Sequence, residues 1–249
     1  MTMIGIGISP CLDMGGGAGA FTPSAITGIL DWGVTDLGVV VDGANTTWTW
    51  RVAGMAFTAA NANAPTVNAT DATLNNLQTL SFIRANSDRL IATSGVDRPA
   101  PATTPTHILL LLKQDTWNAS AGIFSAGTQN LAIFQSGTTP NIALNNNATA
   151  NADAGAVLST WVLLETLFTG STGDIVRIKG DETPTTGASA GNNNPSSTWT
   201  LGSNAGLTAF AGLTIYFGAV LSQAIAAGDR TALLTWLAAR IGTSAPWTP

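Results

Sequence analysis

Residues Trp199–Gly242, WTLGSNAGLTAFAGLTIYFGAVLSQAIAAGDRTALLTWLAARIG, contain the change of period that decides the fold. Trp199–Leu201 reads as a short strand running into a Gly/Asn turn. Leu213–Val220 reads as a longer one, in which Leu213, Ile215, Phe217 and Ala219 alternate with Thr214, Tyr216, Gly218 and Val220. Period two carried by aromatic and β-branched residues predicts a strand that buries one face. The period then becomes helical, with Leu233, Leu234, Leu237 and Ile241 on one side. Asp229 is the expected N-cap, Arg240 lies in the last turn, and Gly242 is the stop just past the helix. One amphipathic helix after a β-rich chain predicts a sandwich with that helix laid against an edge or end.

Outward from this stretch the chain reads as strands broken by turn residues. Thr106–Lys113 (THILLLLK) is a near-continuous apolar run, the pattern of a central strand buried on both faces. Leu131–Phe134, Asn141–Leu144, Trp161–Phe168 and Asp174–Lys179 follow, separated by Gly, Asn, Thr and Pro clusters. In the last, Val176 and Ile178 are expected inward, Arg177 and Lys179 outward. Upstream, Pro23–Trp32 predicts one or two helical turns with Ile26, Ile29 and Leu30 facing in. Leu37–Asp42 and Thr47–Val52 read as strands, the second with Trp48, Trp50 and Val52 on one face. Asn61–Asn76 reads as a polar loop. Leu80–Ile83 and Leu90–Ala92 flank the turn-prone Asn86-Ser87-Asp88, which predicts a hairpin. Pro99–Pro105 reads as a stiff connector. Strands at this spacing predict an antiparallel sandwich.

From Leu80 to Gly242 the order of segments resembles that of concanavalin A-like (laminin G-like) jelly-roll domains, in the divergent form found in phage structural proteins. It rests on LSFIRANSDRL, the paired central strands, the LGSNAG…FAGLTIYFGAVLS hairpin and the closing helix. The fold expected is therefore all-β, an antiparallel β-sandwich (jelly roll, concanavalin A-like) with a C-terminal α-helix. The resemblance implies a virion setting, with synthesis in a host cytoplasm.

Only 9% of the 249 residues are charged, against about 25% in ordinary soluble proteins. Asn, Thr, Ser and Gln must supply the polar surface. Such a surface repels neighbours weakly and packs readily against other protein. The nine Lys and Arg residues are scattered and the net charge is −5, so nucleic-acid binding lacks a basic stripe. The single Cys11 cannot form an intramolecular disulfide or a cysteine zinc site. No apolar run is long enough for a membrane helix. No nucleic-acid or membrane partner is expected.

The search for chemistry yields no catalytic residues, no cofactor motif and no metal cluster. Glycosidases on this sandwich need two carboxylates across the scissile bond. In glucanases of the resembling family they lie in a Glu-x-Asp-x-x-Glu pattern. The only glutamates are Glu165 and Glu182, and Glu165 in WVLLETLF has no acidic partner two or four residues on. It is expected to be a solvated or paired strand residue. His107, the single histidine, opens a buried strand without a nucleophile elbow and is expected to be structural. Asp31, Asp36 and Asp42 are the densest acidic group and are expected to cap turns.

Sugar recognition needs an exposed aromatic ring with amide or carboxylate hydrogen-bonding groups beside it. Trp117 and Asn118, in the loop-like DTWN, and Trp199, after Asn192-Asn193-Asn194-Pro195, are the candidate glycan residues. Trp48, Trp50, Trp161 and Trp236 fall on strand or helix patterns and are expected in the core.

Residues 1–20 read as an extended arm before a sandwich over 21–249. Ile4, Ile6 and Ile8 alternate with glycine, and Gly15-Gly16-Gly17 supplies a joint. No Lys or Arg precedes Arg51, so the segment does not read as a secretory signal. It reads as an edge strand of its own sandwich or as an arm pairing with another subunit. The joint favours the arm, with Ile4, Ile6 and Ile8 as interface residues. The function expected is a virion building block (head decoration, tail or fibre) forming homo-oligomers and joining other virion proteins. The alternative is a carbohydrate-binding domain for host adhesion.

Overall fold

The computed structural model describes residues 21–93, 105–127, 131–137, 141–145, 150–155, 157–169, 174–177, 185–187, 198–242, 245 and 247. Ile4, Ile6 and Ile8 lie outside them, as do residues 99–104 of the connector and the side chains expected to alternate in Asp174–Lys179.

In chain order the strands are β1 (Ile29–Val34), β2 (Val39–Asp42), β3 (Asn45–Thr49), β4 (Ala56–Ala60), β5 (Thr66–Asp71), β6 (Leu77–Phe82), β7 (Leu90–Ala92), β8 (Thr106–Thr116) and β9 (Gly122–Ala126). They continue as β10 (Leu131–Ser136), β11 (Asn141–Asn145), β12 (Ala150–Gly155), β13 (Trp161–Phe168), β14 (Asp174–Arg177), β15 (Thr185–Gly187), β16 (Trp199–Leu201) and β17 (Gly212–Leu221). A single helical turn, α1 (Thr35–Gly38), follows β1, and α2 (Ala227–Ile241) follows β17. One sheet runs β15-β14-β13-β8-β17-β6-β5, with β1 also paired to β17; the other runs β12-β11-β10-β9-β16-β7-β4-β3-β2. The named strand pairs are antiparallel. The expected all-β sandwich with a C-terminal helix is the fold observed.

Two apolar layers hold it together. Between the sheets, Ile108, Leu110 and Leu112 of β8 meet Trp48, Phe57, Phe124 and Trp199. On the far side of the eight-stranded sheet, Leu109 and Leu111 meet Leu233, Leu237 and Ile241 of α2. The helix therefore covers a sheet face, which corrects the expected edge or end placement. Each such Leu or Ile contributes about 1.5–3 kcal/mol when buried, so an apolar outer face on β8 and β17 demands a cover.

That cover also explains why β17 is buried along its whole length rather than on one face. Its alternation changes phase at a one-residue bulge: Ile215 pairs with Leu112 and Phe217 with Leu111, leaving Tyr216 as the extra residue. Leu213 and Ile215 point between the sheets before the bulge, as Val220 does after it. Tyr216, Phe217, Ala219 and Leu221 pack in the helix-side layer. A bulge shifts every later side chain to the opposite face.

Trp50 fixes the spacing of the sheets locally. Gly33 of β1 and Gly218 of β17 are cross-strand partners. A Cβ on either would lie 2.5 Å and 2.6 Å from the Trp50 ring, respectively. Only glycine leaves room for the indole there.

Several local expectations change. Pro23–Ala25 is one 3-10 turn, residues 26–28 form a turn, and the remainder of the expected helix enters β1, whose Trp32 and Val34 are buried against β17 and α2. Residues 35–38 form α1, so that strand begins only at Val39. The polar segment 61–76 contains β5, paired to β6. Leu77–Phe82 and Leu90–Ala92 belong to different sheets, so the chain crosses between sheets instead of forming a hairpin. The Asp88 carboxylate accepts the Ile83 amide at 2.8 Å and closes that crossing. Asp229 is not the N-cap: α2 starts after Ala226, and the Asp229 carboxylate accepts the amide of Thr27 at 3.1 Å.

Candidate functional site

The three candidate glycan residues are not brought to one surface. Trp199 is 0% exposed, with its ring 5.4 Å from that of Phe124. As the inward residue of β16 it has no free face for a sugar, which corrects its candidacy. Trp117 and Asn118 follow β8 and are half-buried. The Trp117 ring packs against the inter-sheet core, and its indole N–H donates to the Gly137 carbonyl at 3.3 Å. The Asn118 amide donates to Gln135 Oε1 at 2.9 Å, while Gln135 Nε2 donates to Gln114 Oε1 at 2.8 Å. This buried amide chain holds the loop in one place.

Glu165 is paired and buried. His107 Nε2 lies 3.3 Å from Glu165 Oε1, and Arg230 Nε donates to Oε2 at 2.8 Å. His107 Nδ1 accepts the amide of Ile225 at 2.9 Å, which leaves the ring proton on Nε2 facing the carboxylate. Burial pushes the Glu165 carboxyl up, but the hydrogen bonds from His107 and Arg230 and the Arg230 charge outweigh it and hold the group below its ordinary value. The arrangement ties β8 and β13 to α2 under 5% exposure of the Glu165 side chain. Its chemistry is structural.

The acidic trio has separate roles. Asp31 is 0% exposed. Its carboxylate accepts the amides of Trp32 at 2.9 Å, Val52 at 2.8 Å and Met55 at 2.8 Å. This capture turns the chain after β3, so that Trp50 and Met55 enter the core while Val52 is 49% exposed, against its expected place beside Trp48 and Trp50. Asp36 accepts from Arg240 Nη2 at 2.6 Å, and Arg240 Nε also donates to the Tyr216 hydroxyl at 2.7 Å. Among the described residues no three His, Cys, Asp or Glu side chains group as metal ligands.

A different surface has the features of a binding site. A groove of about 710 Å³ lies on the outward face of the nine-stranded sheet, over β3, β4 and β7. Alternation builds it: Trp48, Phe57, Leu90 and Ala92 point into the core, so Asn45, Thr47, Thr58 and Ile91 point out. Thr47 is in register with Thr58, and Thr58 with Ile91, so these form one cross-strand row. Asn63 and Arg89 stand at its end. Asn63 Nδ2 donates to the Asn86 carbonyl at 3.1 Å, and the Arg89 amide donates to the Asn63 carbonyl at 3.0 Å. The Arg89 guanidinium donates to the Ser87 carbonyl at 3.2 Å and lies 5.8 Å over the Phe210 ring. The described residues that line the groove supply hydroxyls, amides, the Arg89 guanidinium and apolar side chains, and no carboxylate. Those groups can donate and accept hydrogen bonds; the described ones include no acid–base pair.

Sequence reasoning missed this groove because its residues come from three strands and a turn that meet only in the folded sheet. The signal available was the outward Thr and Asn positions flanking inward Trp48 and Phe57.

No family profile and no curated protein matches the sequence. Solved structures match on fold. A sialidase of Trypanosoma rangeli has TM-score 0.57 at 14% identity, over 91% of this chain and 35% of that one. The same sialidase in complex with a difluorinated nononic acid gives TM-score 0.61 at 14% identity, over 96% of this chain and 36% of that one. The binding domain of botulinum neurotoxin DC, in complex with rat synaptotagmin II, gives 0.51 at 13% identity, over 70% of this chain and 46% of that one. This chain spans about a third of the sialidase and under half of the toxin domain. At such identities the likeness establishes a shared β-sandwich and carries no residue roles.

Proposed function

We propose that this chain is a non-catalytic carbohydrate-binding sandwich that takes its glycan in the β3–β4–β7 groove. The observation that carries the reading is the row Thr47–Thr58–Ile91 with Asn63 and Arg89 at its end. Hydroxyls and amides spaced across strands match the hydroxyls of a sugar, and Ile91 offers an apolar patch. The sandwich is one that sialidase and toxin binding-domain structures share, which supports sugar recognition only as a matter of architecture. A glycan array probed with the intact chain tests it. Binding to a defined group of glycans is expected, weakened by Thr58→Val and Asn63→Ala; an array without a single binder contradicts the reading.

A second reading, a phage structural component that assembles through its N-terminal arm, is favoured by one observation. β2 is the last strand of the nine-stranded sheet, and its Val40 and Val41 are 62% and 55% exposed. An apolar edge strand is a template for strand addition. A pocket of about 360 Å³ beside it, lined by Leu37, Val39, Val40 and Trp50 among others, has room for an aliphatic side chain. Ile4, Ile6 and Ile8 of a second copy have the period to fill that edge. Deleting Met1–Gly17 is then expected to leave a folded monomer that no longer joins its oligomer, read by light scattering. A truncated chain that assembles normally, or does not fold, removes the arm. The two readings are compatible, because adhesion would use the outward face over β3, β4 and β7 and assembly the β2 edge.

A further inference from the structure

We infer that the groove is selective for a saccharide bearing a carboxylate, and that Arg89 is the residue that receives it; this rests on the groove being the glycan site. Three observations converge on Arg89. Its guanidinium is held from both sides, by the Ser87 carbonyl at 3.2 Å and by the Phe210 ring 5.8 Å away. Its backbone is pinned to Asn63 at 3.0 Å. A side chain so placed loses little further freedom when it binds, which is the condition for a specific contact.

The charge of Arg89 is also left without an internal counterpart. The other described cations that are at least half-buried have one: Arg230 has Glu165 at 2.8 Å, Arg240 has Asp36 at 2.6 Å, and Lys113 has Asp71 and Asp115 at 4.0 and 3.9 Å, whereas Arg51 and Arg84 are exposed. Among the described residues Arg89 has no ion pair, and those that line the groove include no Asp or Glu. In a chain with only nine basic residues and net charge −5, a half-buried guanidinium without an ion pair among the described residues, set in a hydroxyl-lined groove, is a local centre that draws an anion. With one N–H engaged by Ser87, the remaining N–H groups can present the paired donors that a carboxylate accepts in bidentate form.

The outer polar ladder of the eight-stranded sheet shows the contrast. There Asn68 donates to Ser81 at 2.7 Å, Ser81 meets Thr214 at 2.9 Å, and Thr214 donates to Asp115 at 2.7 Å, beside Lys113. That network satisfies itself and leaves no charge to a ligand.

The test uses an array of matched oligosaccharide pairs that differ only in an acidic residue, sialylated against desialylated and uronic-acid against neutral. The wild-type chain is expected to prefer the acidic members, and the two kinds of pair distinguish which acid it takes. Arg89→Gln is expected to lose roughly tenfold more affinity for the acidic members than for their neutral partners, the scale of a charge-assisted hydrogen bond, so that the preference within each pair disappears. If the variant does not fold, the wild type alone decides: affinity for acidic members should fall as salt rises while that for neutral members stays level. Equal binding of both members, or an unchanged preference in Arg89→Gln, overturns the subsite and leaves the glycan groove standing. Absence of binding to any glycan overturns the groove function itself, and the subsite with it.

Discussion

Replacing Asp31 with alanine should cost the fold about 3 kcal/mol or more, measured by urea unfolding. The Asp31 carboxylate is 0% exposed and accepts the amides of Val52 and Met55 from across the loop after β3. Without it those donors lose their partner, and each buried orphan costs about 1–3 kcal/mol. Asp31→Asn keeps one acceptor oxygen and should lose roughly half as much. The damage should also reach the groove, because the captured loop leads directly into β4, where Ala56 and Thr58 form part of its wall. A loss under about 1 kcal/mol would show that the loop holds its course without the carboxylate.

Glu165→Gln should destabilise the protein by about 3 kcal/mol at neutral pH, because it removes the charged partner of buried His107 and of Arg230. The loss should depend on pH in one direction. The folded state holds this carboxyl below its ordinary value of 4.5. Its contribution is therefore complete above that value and fades as pH falls through the lower folded one. The gap between wild type and variant should be widest near neutrality and close in acid. A gap that stays constant to pH 3, or a variant more stable than wild type at neutral pH, contradicts the pairing. Glycan cleavage is not expected from either protein; cleavage by wild type that disappears in Glu165→Gln would make this carboxylate catalytic.

The sequence shows its period and not its partners. THILLLLK reads correctly as a strand buried on both faces because no polar residue interrupts it from Ile108 to Leu112. Trp161–Phe168 and the helical stripe of Leu233, Leu237 and Ile241 are legible for the same reason. β17 was legible as a strand but not in its burial, because the bulge at Tyr216 and the cover by α2 are tertiary events. Trp199 illustrates the limit for site residues: an Asn-rich approach suggested exposure, whereas its place between Ala92 and Ala126 in the sheet turns the ring inward against Phe124. The crossing at Asn86–Arg89 has the same turn residues as a hairpin. Which sheet Leu90 enters is settled by pairing with β16, a strand more than a hundred residues further along the chain. The groove combines both difficulties, since Thr47, Thr58 and Ile91 become neighbours only through two cross-strand registers.

The central claim is that this sandwich recognises a glycan on the outward face of β3, β4 and β7. Its most direct test is an NMR titration of the backbone amides with whichever glycan the array selects. The account predicts shifts concentrated at Thr47, Thr58, Asn63, Arg89 and Ile91, with the Trp117–Asn118 loop and the Val39–Asp42 edge unmoved. Shifts centred on Trp117 or on that edge, with the groove silent, would contradict it.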